Sequence, residues 1–399
     1  MTKTALVVGL GFAGSVVARE LAEAGFSVLA FEKRSSIAGN MYEYVRSNGV
    51  RVHMYGPHIF HTNSRKVYDY LCAFSSFYPY THRVLGRIQG KLVPIPFNFT
   101  SIDALFPADR AGLLKNKLSG SFGSRDRVSV SELISHADPD IAALGEFIFE
   151  NVFVHYTAKQ WGVPVSEVDT SVINRVPVVL GTDDRYFPDA IQMMPLEGYT
   201  RLFENLLNHP NIQCFLQADA ANHLKVNMES RILSLDGEPF TGPVIYSGPA
   251  DELFECSHGP LPYRSLDMQF EDCPVDYYQN AAVINYPNEE EYTRITEYKH
   301  MTLQVLPGNT TIMKEYPLPY HPGGATLPYY PIVGPRNLER YNAYLDTSHL
   351  FPNLYLCGRL AEYRYYNMDA AVERALSVAA SILKAFPAND IIDISGGIK

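Results

Sequence analysis

The sequence predicts an α/β protein in which a discontinuous nucleotide-binding domain is built from both ends of the chain. Three observations support this prediction. The N-terminal segment reads as strand, glycine-rich turn, helix and strand, and the C-terminal segment as strand, glycine, loop and helix. The segment between them changes from helical periodicity to short β-prone runs. We therefore expect a Rossmann-like domain, a helical insertion and an antiparallel β-sheet domain.

The N-terminal stretch "TALVVGLGFAGSVVARELAEAGFSVLAFEKR" contains the strongest local signal. Residues 4–8 form an apolar run, Gly9, Gly11 and Gly14 fit G-x-G-x-x-G, and the second predicted strand ends in Glu32. In this context the glycines admit a pyrophosphate, the helix N-terminus favours its charge, and the acid can accept from a ribose diol. A crossover without a ligand has little need of three glycines in this register. The segment therefore predicts a dinucleotide site.

The middle of the chain supplies the other two parts of the predicted fold. Residues 83–98 alternate around a turn at Gly90, which predicts a hairpin. The pattern is helical from 100 to 160, and 263–316 contains short β-prone runs. The intervening "WGVPVSEVDTSVINRVPVV" is rich in turn formers and weakly periodic. We expect that stretch to be mobile.

The C-terminal segment "NLYLCG" and the later helix "DAAVERALSVAASIL" predict a return to the nucleotide domain, beside the first strand. In flavoproteins such a helix N-terminus meets the N1–C2=O edge, where reduced flavin carries negative charge, so FAD is favoured over NAD. The predicted parts are a Rossmann-like FAD-binding domain (1–80, 210–258 and 335–397), a helical domain (100–185, mobile loop 162–180) and an antiparallel sheet domain (81–99, 186–209 and 259–334).

Composition narrows the function classes. The formal charge of −10 and the pI near 5.6 argue against a nucleic-acid or anionic-membrane surface. The N-terminus lacks a basic leader with a cleavage site, and no apolar run reaches about 18 residues, so we expect a cytoplasmic protein without membrane insertion. Five scattered cysteines without a C-x-x-C pair fit a reducing compartment rather than a disulfide framework or zinc ribbon: Cys72, Cys214, Cys256, Cys273 and Cys357.

The stretch "MYGPHIFHTN" brings His58 and His61 close together, with His53 just upstream. A zinc site needs three or four ligands and a supporting second shell, and no Cys, Asp or Glu cluster accompanies these histidines. We therefore predict no metal. Two interpretations stay open: a packed loop whose histidines are satisfied internally, and a polar loop laid against a cofactor ring.

Aromatic residues and arginines provide a second candidate site. Phe153 precedes "YTAKQWG", in which Tyr156 and Trp161 offer flat faces for a base or sugar, worth about 1–3 kcal/mol per stacked base. Further arginines and tyrosines stand in apolar or aromatic surroundings: Arg175, Arg264, Arg359, Tyr186, Tyr316 and Tyr365. Each could be a paired core residue. Together they could screen a diphosphate, at roughly 1.5–3 kcal/mol per charge-assisted hydrogen bond.

Several of these motifs carry a family resemblance. "YGPHIFHTN", "YTAKQWG", "RYF", "MPLEGYT", "YRSL", "YTRITEYKH", "KEYP" and "GRLAEYRYYNMD" follow the nucleotide fingerprint in this order. Over essentially its whole length the chain resembles bacterial UDP-galactopyranose mutases. The resemblance implies reversible isomerisation of UDP-galactopyranose and UDP-galactofuranose, without net redox change, by an enzyme active with reduced FAD. Flavin N5 would attack the anomeric carbon and displace UDP, so no Ser or Cys triad is required.

The resemblance also implies roles for individual residues. Arg175 on the mobile loop, Arg264, Tyr186, Tyr316 and Tyr365 would bind the diphosphate, Phe153 and Tyr156 would sandwich uracil, and Trp161 and His82 would line the sugar. Arg175, Arg264 and His58 are the expected catalytic residues. The expected FAD-binding residues are Gly9, Gly11, Phe12, Ala13, Gly14, Glu32, Lys33, Arg34, Gly39, Asn40, His58, Arg359, Asn367 and Met368. Bacterial relatives suggest a homodimer or higher homo-oligomer.

Three positions depart from the family pattern. Ala38 replaces a glycine that many members carry near the pyrophosphate, His82 stands where many carry Asn, and Asn367 where many carry Asp. The last two leave open a mutase for a related nucleotide sugar. Two competing functions are an FAD-dependent oxidoreductase of the amine-oxidase type and a non-catalytic protein that binds nucleotide sugars.

Overall fold

Strands and helices alternate at both ends of the chain, around a helical segment and a large sheet. The computed structural model describes residues 3–154, 159, 176–324 and 326–387. The strands are β1 (Thr4–Val8), β2 (Ser27–Glu32), β3 (Glu43–Val45), β4 (Arg51–His53), β5 (Phe60–Thr62), β6 (Phe77–Pro79), β7 (Val84–Ile88), β8 (Lys91–Ile95), β9 (Arg127–Val128), β10 (Val178–Val179), β11 (Ile191–Pro195), β12 (Ile212–Leu216), β13 (Leu224–Asn227), β14 (Ile232–Leu235), β15 (Glu238–Pro239), β16 (Val244–Tyr246), β17 (Tyr263–Cys273), β18 (Val283–Asn285), β19 (Arg294–Glu297), β20 (Thr310–Pro319), β21 (Tyr330–Pro331) and β22 (Leu354–Leu356). The helices are α1 (Phe12–Glu23), α2 (Arg65–Cys72), α3 (Phe99–Leu105), α4 (Ala108–Phe122), α5 (Val130–Ile134), α6 (Pro139–Ile148), α7 (Tyr199–Leu207), α8 (Ala250–Leu253), α9 (Lys299–Thr302), α10 (Pro335–Ser348) and α11 (Met368–Ala385).

A five-stranded parallel sheet joins the two ends of the chain in the order β12-β2-β1-β16-β22. β1, α1 and β2 confirm the predicted strand–helix–strand unit. In β1, Val8 pairs with Phe31 on one side and Tyr246 on the other, and Tyr246 pairs with Leu356. This register places the carboxyl ends of the strands at one edge, where a ligand of such sheets binds.

The terminal strand β22 joins this sheet, but not beside β1 as expected. β16 lies between them and pairs with both in parallel. β16 has only three residues, all buried, and this is too short to show a periodicity. The final helix α11 packs on α1, as an N- and C-terminal pair covering one face of the sheet.

The antiparallel sheet has seven strands in the order β21-β17-β20-β19-β18-β7-β8. β17 and β20 pair over ten residues, and only β18 and β7 run parallel to each other. The predicted hairpin of 83–98 is present as β7 and β8, and both Gln89 and Gly90 have positive φ in its two-residue turn. Such turns match the twist of the flanking strands.

The helical segment follows capping signals in the sequence. Asn98 with Ser101 and Ser129 with Glu132 form capping boxes at α3 and α5, and the carboxylate of Asp138 accepts from the first turn of α6. A separate apolar cluster holds these helices together. Among the described residues, no helix is long and apolar enough to cross a bilayer.

Residues 186–209, predicted with the antiparallel sheet, lie elsewhere. β11 pairs with β5 and β6 in a three-stranded sheet. α7 packs on α1, where Phe203 contacts Phe12 with ring centroids 4.7 Å apart. The buried apolar side chains of α7 therefore belong to the core of the nucleotide domain. The prediction, which divided the sequence into continuous ranges, could not show this.

Candidate active site

A cavity of about 590 Å³ lies at the carboxyl edge of the parallel sheet. The last residues of three strands line it, Val8, Glu32 and Tyr246, and so does Gly358, two residues after β22. Among the residues expected to bind FAD, those lining it are Gly9, Gly11, Phe12, Ala13, Glu32, Lys33, Arg34, Gly39, Asn40, Arg359, Asn367 and Met368. Gly14 and His58 are not among the lining residues.

The glycine-rich turn shows why its three glycines differ. Gly9 has φ +90°, and a Cβ on it would collide with the hydroxyl of Ser247. A Cβ on Gly14 would collide with the carbonyl oxygen of Gly9. Gly14 thus packs the helix under the turn, whereas an ideal Cβ on Gly11 finds nothing nearer than Gly39 Cα at 4.0 Å. Gly11 is therefore the position where backbone faces open space.

Two helices begin at the cavity without a side-chain cap. α1 follows Gly11, and α11 follows Asn367. N-terminal backbone N–H groups that lack a capping side chain favour a negatively charged ligand group. The two ends suit electron-rich groups of a bound dinucleotide, such as its pyrophosphate.

Glu32 is buried and held by backbone donors. Its Oε2 accepts from Leu10 N and its Oε1 from Arg34 N, both at 3.0 Å. The Arg34 guanidinium lies 4.3 Å from the centre of the Tyr55 ring and donates to Asn40 Oδ1 at 3.0 Å. The acid therefore has a fixed orientation at the cavity wall, as a ribose-binding group requires.

The departure at Ala38 falls on strained backbone. Ala38 has φ +75° and is fully buried, and the next residue, Gly39, has φ +54° with Gly11 Cα 2.9 Å from an ideal Cβ. A side chain costs roughly 1–2 kcal/mol in this left-handed conformation. The alanine is accommodated, and the cradle against Gly11 is preserved. The cavity volume, its glycine cradle and its helix ends together fit FAD.

The histidine stretch forms a loop after β4. His58 Nδ1 lies 2.8 Å from Gly56 O, and burial, with smaller effects from His53 and Arg359, lowers the pKa of His58 to about 3. His58 is therefore neutral at pH 7. Because a carbonyl only accepts, Nδ1 carries the proton and Nε2 retains its lone pair. His61 instead pairs with Asp189 Oδ2 at 2.8 Å.

These contacts are relevant to three interpretations of the stretch: a metal site, a packed loop, and a polar loop laid against a cofactor ring. Among the described residues, no group of three or more His, Cys, Asp or Glu side chains could hold a metal ion. His61 is satisfied by its carboxylate and by stacking on Phe187, with ring centroids 3.6 Å apart. The charge of Arg359, which lines the cavity, contributes to the lowered pKa of His58.

His82 lies in a ring-lined recess. Tyr186 approaches it edge-on at 5.7 Å and Phe187 stacks at 5.9 Å. Burial, with smaller effects from Arg294 and His61, lowers the pKa of His82 to about 3. It is therefore a neutral imidazole, with one ring nitrogen that donates a hydrogen bond and one that accepts.

Arg359 lines the cavity and also contacts two aromatic rings, those of Tyr330 and Tyr365. We call these three residues the Tyr330 cluster. The guanidinium lies 5.4 Å from the Tyr330 ring and 5.0 Å from the Tyr365 ring, and these two rings stack at 6.0 Å. Burial raises the pKa of Tyr330 to about 12, with Tyr365 adding to the shift and Arg359 opposing it. Such rings and charges are suited to an anionic ligand.

Arg264 lies next to this cluster through backbone pairing with Tyr330. Its side chain is buried, Nη2 donates to the carbonyl of Lys159 at 3.3 Å, and burial lowers its pKa. Because an arginine guanidinium stays charged at pH 7 in proteins, Arg264 places a buried positive charge here.

One charged pair in this region was not predicted from the sequence. Arg294 Nε lies 3.0 Å from Glu315 Oε1. The charge of Arg294 lowers the pKa of His82, and both charges act on the pKa of Tyr330. Glu315 is buried, and burial raises its pKa while Arg294 lowers it. Both residues stand in motifs that carry the family resemblance, "YTRITEYKH" and "KEYP", but neither motif assigns them a role.

The remaining expected substrate residues are only partly described. Phe153 is buried at the end of the helical segment, and Tyr316 contacts the ring of Tyr292 at 5.9 Å. Tyr156, Trp161 and Arg175, with most of the predicted mobile loop, lie outside the described residues.

Comparisons with known proteins agree with this arrangement. A family model described as UDP-galactopyranose mutase matches residues 151–365, and one described as an NAD(P)-binding Rossmann-like domain matches 7–74. The chain is 34% identical over 385 residues to a UDP-galactopyranose mutase of Mycoplasma pneumoniae, covering 95% of this chain and 96% of that protein. It is 33% identical over 381 residues to a dTDP-fucopyranose mutase of Escherichia coli, covering 95% and 98%.

Solved structures show the same fold in enzymes of different reactions. A reduced UDP-galactopyranose mutase matches with TM-score 0.70 at 16% identity, covering 96% of each chain. A putative protoporphyrinogen oxidase from Exiguobacterium matches with TM-score 0.66 at 13% identity, covering 96% of this chain and 99% of the other. These structural similarities show the fold alone, and the fold is compatible with either an isomerase or an oxidase.

Proposed function

Because the chain belongs to the UDP-galactopyranose mutase family, we propose that it interconverts the pyranose and furanose forms of UDP-galactose with reduced FAD as cofactor. The observation that carries the proposal is the position of Arg359, which lines the nucleotide cavity and also lies over the Tyr330 and Tyr365 rings. A flavin on one side and a nucleotide diphosphate on the other would meet there.

The residues of the chain would bind and orient the substrate and screen the charge of its diphosphate. Reduced FAD, held by the glycine cradle and the two helix ends, would supply N5 as nucleophile for the anomeric carbon, with no net redox change. Arg264 would neutralise a phosphate oxygen, with Tyr186, Tyr316 and Tyr365 donating to others. His58, neutral and with Nε2 unprotonated, would accept from a sugar hydroxyl.

Three further assignments rest on the resemblance. Tyr156 would stack on uracil opposite Phe153, Trp161 would line the sugar, and Arg175 would close onto the diphosphate. A cytoplasmic location and a homodimer or higher homo-oligomer belong to the same proposal, and light scattering of the purified protein tests the oligomer.

One relative suggests a second substrate. The E. coli relative at 33% identity is named a dTDP-fucopyranose mutase. Here His82 is neutral and lies against the rings of Tyr186 and Phe187, and this gives a less polar wall than an asparagine amide would. Such a wall also suits a deoxysugar, so dTDP-fucose is the second candidate.

The experiment is to incubate the oxidised and the dithionite-reduced protein with UDP-galactofuranose and, in parallel, dTDP-fucofuranose. Chromatography then resolves the nucleotide sugars. We expect conversion only with reduced protein, and a kcat/KM at least tenfold higher for the UDP-sugar. Preference for the dTDP-sugar would instead establish the second candidate, and conversion by oxidised protein alone would contradict both.

A further inference from the structure

The loop that carries His58 rests on a buried Glu–His pair in the hairpin β3–β4. Glu43 and His53 are cross-strand partners, and His53 Nε2 lies 3.0 Å from Glu43 Oε1. Both side chains are buried. A buried charge requires compensation by hydrogen bonds or an opposite charge, so the partners of this pair determine what it does.

Backbone amides determine where the protons lie. His53 Nδ1 is 3.0 Å from the backbone N of His58, which can only donate, so Nδ1 is unprotonated. Neutral His53 therefore carries its proton on Nε2, which lies close to Glu43 Oε1 at 3.0 Å but does not have the geometry of a hydrogen bond to it. The other carboxylate oxygen, Oε2, accepts from the backbone N–H of Tyr199 at 2.9 Å. Hydrogen bonds thus connect Tyr199 to Glu43 and His58 to His53, and a close polar contact joins Glu43 to His53.

The surroundings hold this pair in place. The Tyr298 hydroxyl donates to the carbonyl oxygen of His53 at 3.0 Å, and the Tyr199 ring meets the His53 ring edge-on at 5.8 Å. The rings of His53 and His58 lie 6.2 Å apart and nearly parallel, at 23°. Movement of the His53 ring would therefore displace both the backbone and the ring of His58.

We propose that Glu43 and His53 are positioning residues, which hold the loop so that His58 presents an unprotonated Nε2 to the bound sugar. The proposal rests on the proposed function for the role of His58. This series of contacts from Tyr199 to His58, which we call the relay, belongs to the protein without its ligands, and it can be tested separately. Neither residue needs to touch substrate or cofactor.

Two substitutions of His53 separate the two ends of the relay. In His53→Asn, an amide oxygen can occupy the Nδ1 position and accept from His58 N–H, although the donor to Glu43 is lost. In His53→Gln, the amide reaches the Nε2 position and serves Glu43, but the acceptor for His58 is lost. The two variants are close in polarity, so a difference between them reports position rather than burial of an amide.

Glu43→Gln tests the same relay from its other end. Its amide keeps one oxygen, which can accept from Tyr199 N–H or face His53 Nε2–H, but cannot do both. If the imidazole moves its proton to Nδ1 to relieve this conflict, it opposes the N–H of His58. A nearly isosteric change should therefore loosen a loop that lies beyond the substituted residue.

The first readout is backbone hydrogen exchange of the peptide covering 54–62, measured by mass spectrometry on the holoprotein. We expect exchange about tenfold faster in His53→Gln and Glu43→Gln, and close to wild type in His53→Asn. The second readout is steady-state kinetics, in which the two loosening variants should lose about 10- to 100-fold in kcat, with KM changed less than threefold. His53→Asn should recover most of that loss.

Flavin content and melting temperature accompany each measurement, since a global loss of structure would raise exchange everywhere. Equal behaviour of His53→Asn and His53→Gln in exchange would overturn the proposal, as would wild-type exchange in both. If the wild type proves inactive on nucleotide sugars while the asymmetry in exchange persists, the relay stands and the proposed function fails. If Glu43→Gln does not fold, the His53 pair alone decides.

Discussion

The two halves of the candidate site are built by different means. The nucleotide cavity is shaped by backbone: glycines without Cβ atoms, two helix N-termini and a carboxylate held by amides. The region around the Tyr330 cluster is shaped by side chains from distant strands, with a partly buried ion pair and stacked rings. A backbone site tolerates few changes of shape, whereas a side-chain site can change its ligand by a few substitutions.

The largest expected effect concerns Arg264 on the side-chain half. Arg264→Ala removes a buried cation from the proposed diphosphate site, and we expect a loss of about 2–4 kcal/mol in transition-state stabilisation. The measurement is kcat/KM of the reduced enzyme. Arg83→Ala is the matched control, since Arg83 lies at the surface in an exposed ion pair with Asp184. Activity of Arg264→Ala within a few-fold of wild type would remove Arg264 from the proposed site.

The next effect concerns Arg294 and Glu315. Arg294→Met leaves the Glu315 carboxylate buried without its cation, and the free energy of unfolding should fall by roughly 3 kcal/mol at pH 7. Arg87→Met removes an arginine from the more exposed pair with Glu290 and should cost under about 1 kcal/mol. Urea unfolding measures both. Equal losses would mean that burial of the Arg294–Glu315 pair does not increase the free-energy cost of removing its arginine.

The same pair predicts a pH dependence. The folded pKa of Glu315 is raised by burial, so its neutral form is favoured in the folded state. Its contribution to stability is thus present below the unfolded pKa of about 4.5 and is lost as pH rises through the folded value. We expect Arg294→Met to lose progressively more stability, relative to wild type, as pH rises from about 4 to about 7. A difference independent of pH would contradict the assignment to Glu315.

A smaller effect should distinguish two glycines of the backbone half. A methyl group on Gly14 collides with the carbonyl of Gly9, so Gly14→Ala should destabilise the fold by about 2 kcal/mol. Gly11→Ala meets no atom closer than 4.0 Å, so its melting temperature should match wild type while FAD binds at least tenfold more weakly. Calorimetry and flavin titration separate the two. Tight FAD binding by Gly11→Ala would place the pyrophosphate elsewhere.

The smallest effect is expected at Ala38. Ala38→Gly relieves a left-handed alanine but adds backbone entropy to the unfolded chain and removes a buried methyl group. These contributions oppose one another, so the free energy of unfolding should change by less than about 1 kcal/mol, with flavin affinity unchanged. A large gain in flavin affinity would show that the alanine restricts the pyrophosphate.

The difference between the halves also explains what the sequence could reveal. The glycine turn, α1 and β2 are contiguous, so spacing alone predicted this strand–helix–strand unit. β16 is a three-residue strand whose place between β1 and β22 depends on partners far along the chain. Local patterns carry no information about such pairing.

For the side-chain half, the sequence indicated single residues such as Arg264 and Tyr365, but not which side chains pair with one another. Arg294 and Glu315 became visible as a pair through the pairing of β19 with β20. Glu43 and His53 likewise depend on the register of β3 and β4. Their proton arrangement required the position of one backbone amide, that of His58, which no residue pattern encodes.

The measurement that tests the central claim most directly counts product molecules per electron pair. The anaerobic holoprotein receives one equivalent of dithionite per flavin and then excess UDP-galactofuranose, without any electron acceptor. We predict that each reduced flavin yields hundreds of molecules of UDP-galactopyranose while its absorbance stays that of the reduced form. Reoxidation of the flavin with formation of about one molecule of a two-electron-reduced sugar nucleotide per flavin, in place of the pyranose, would contradict the mutase and favour an oxidoreductase.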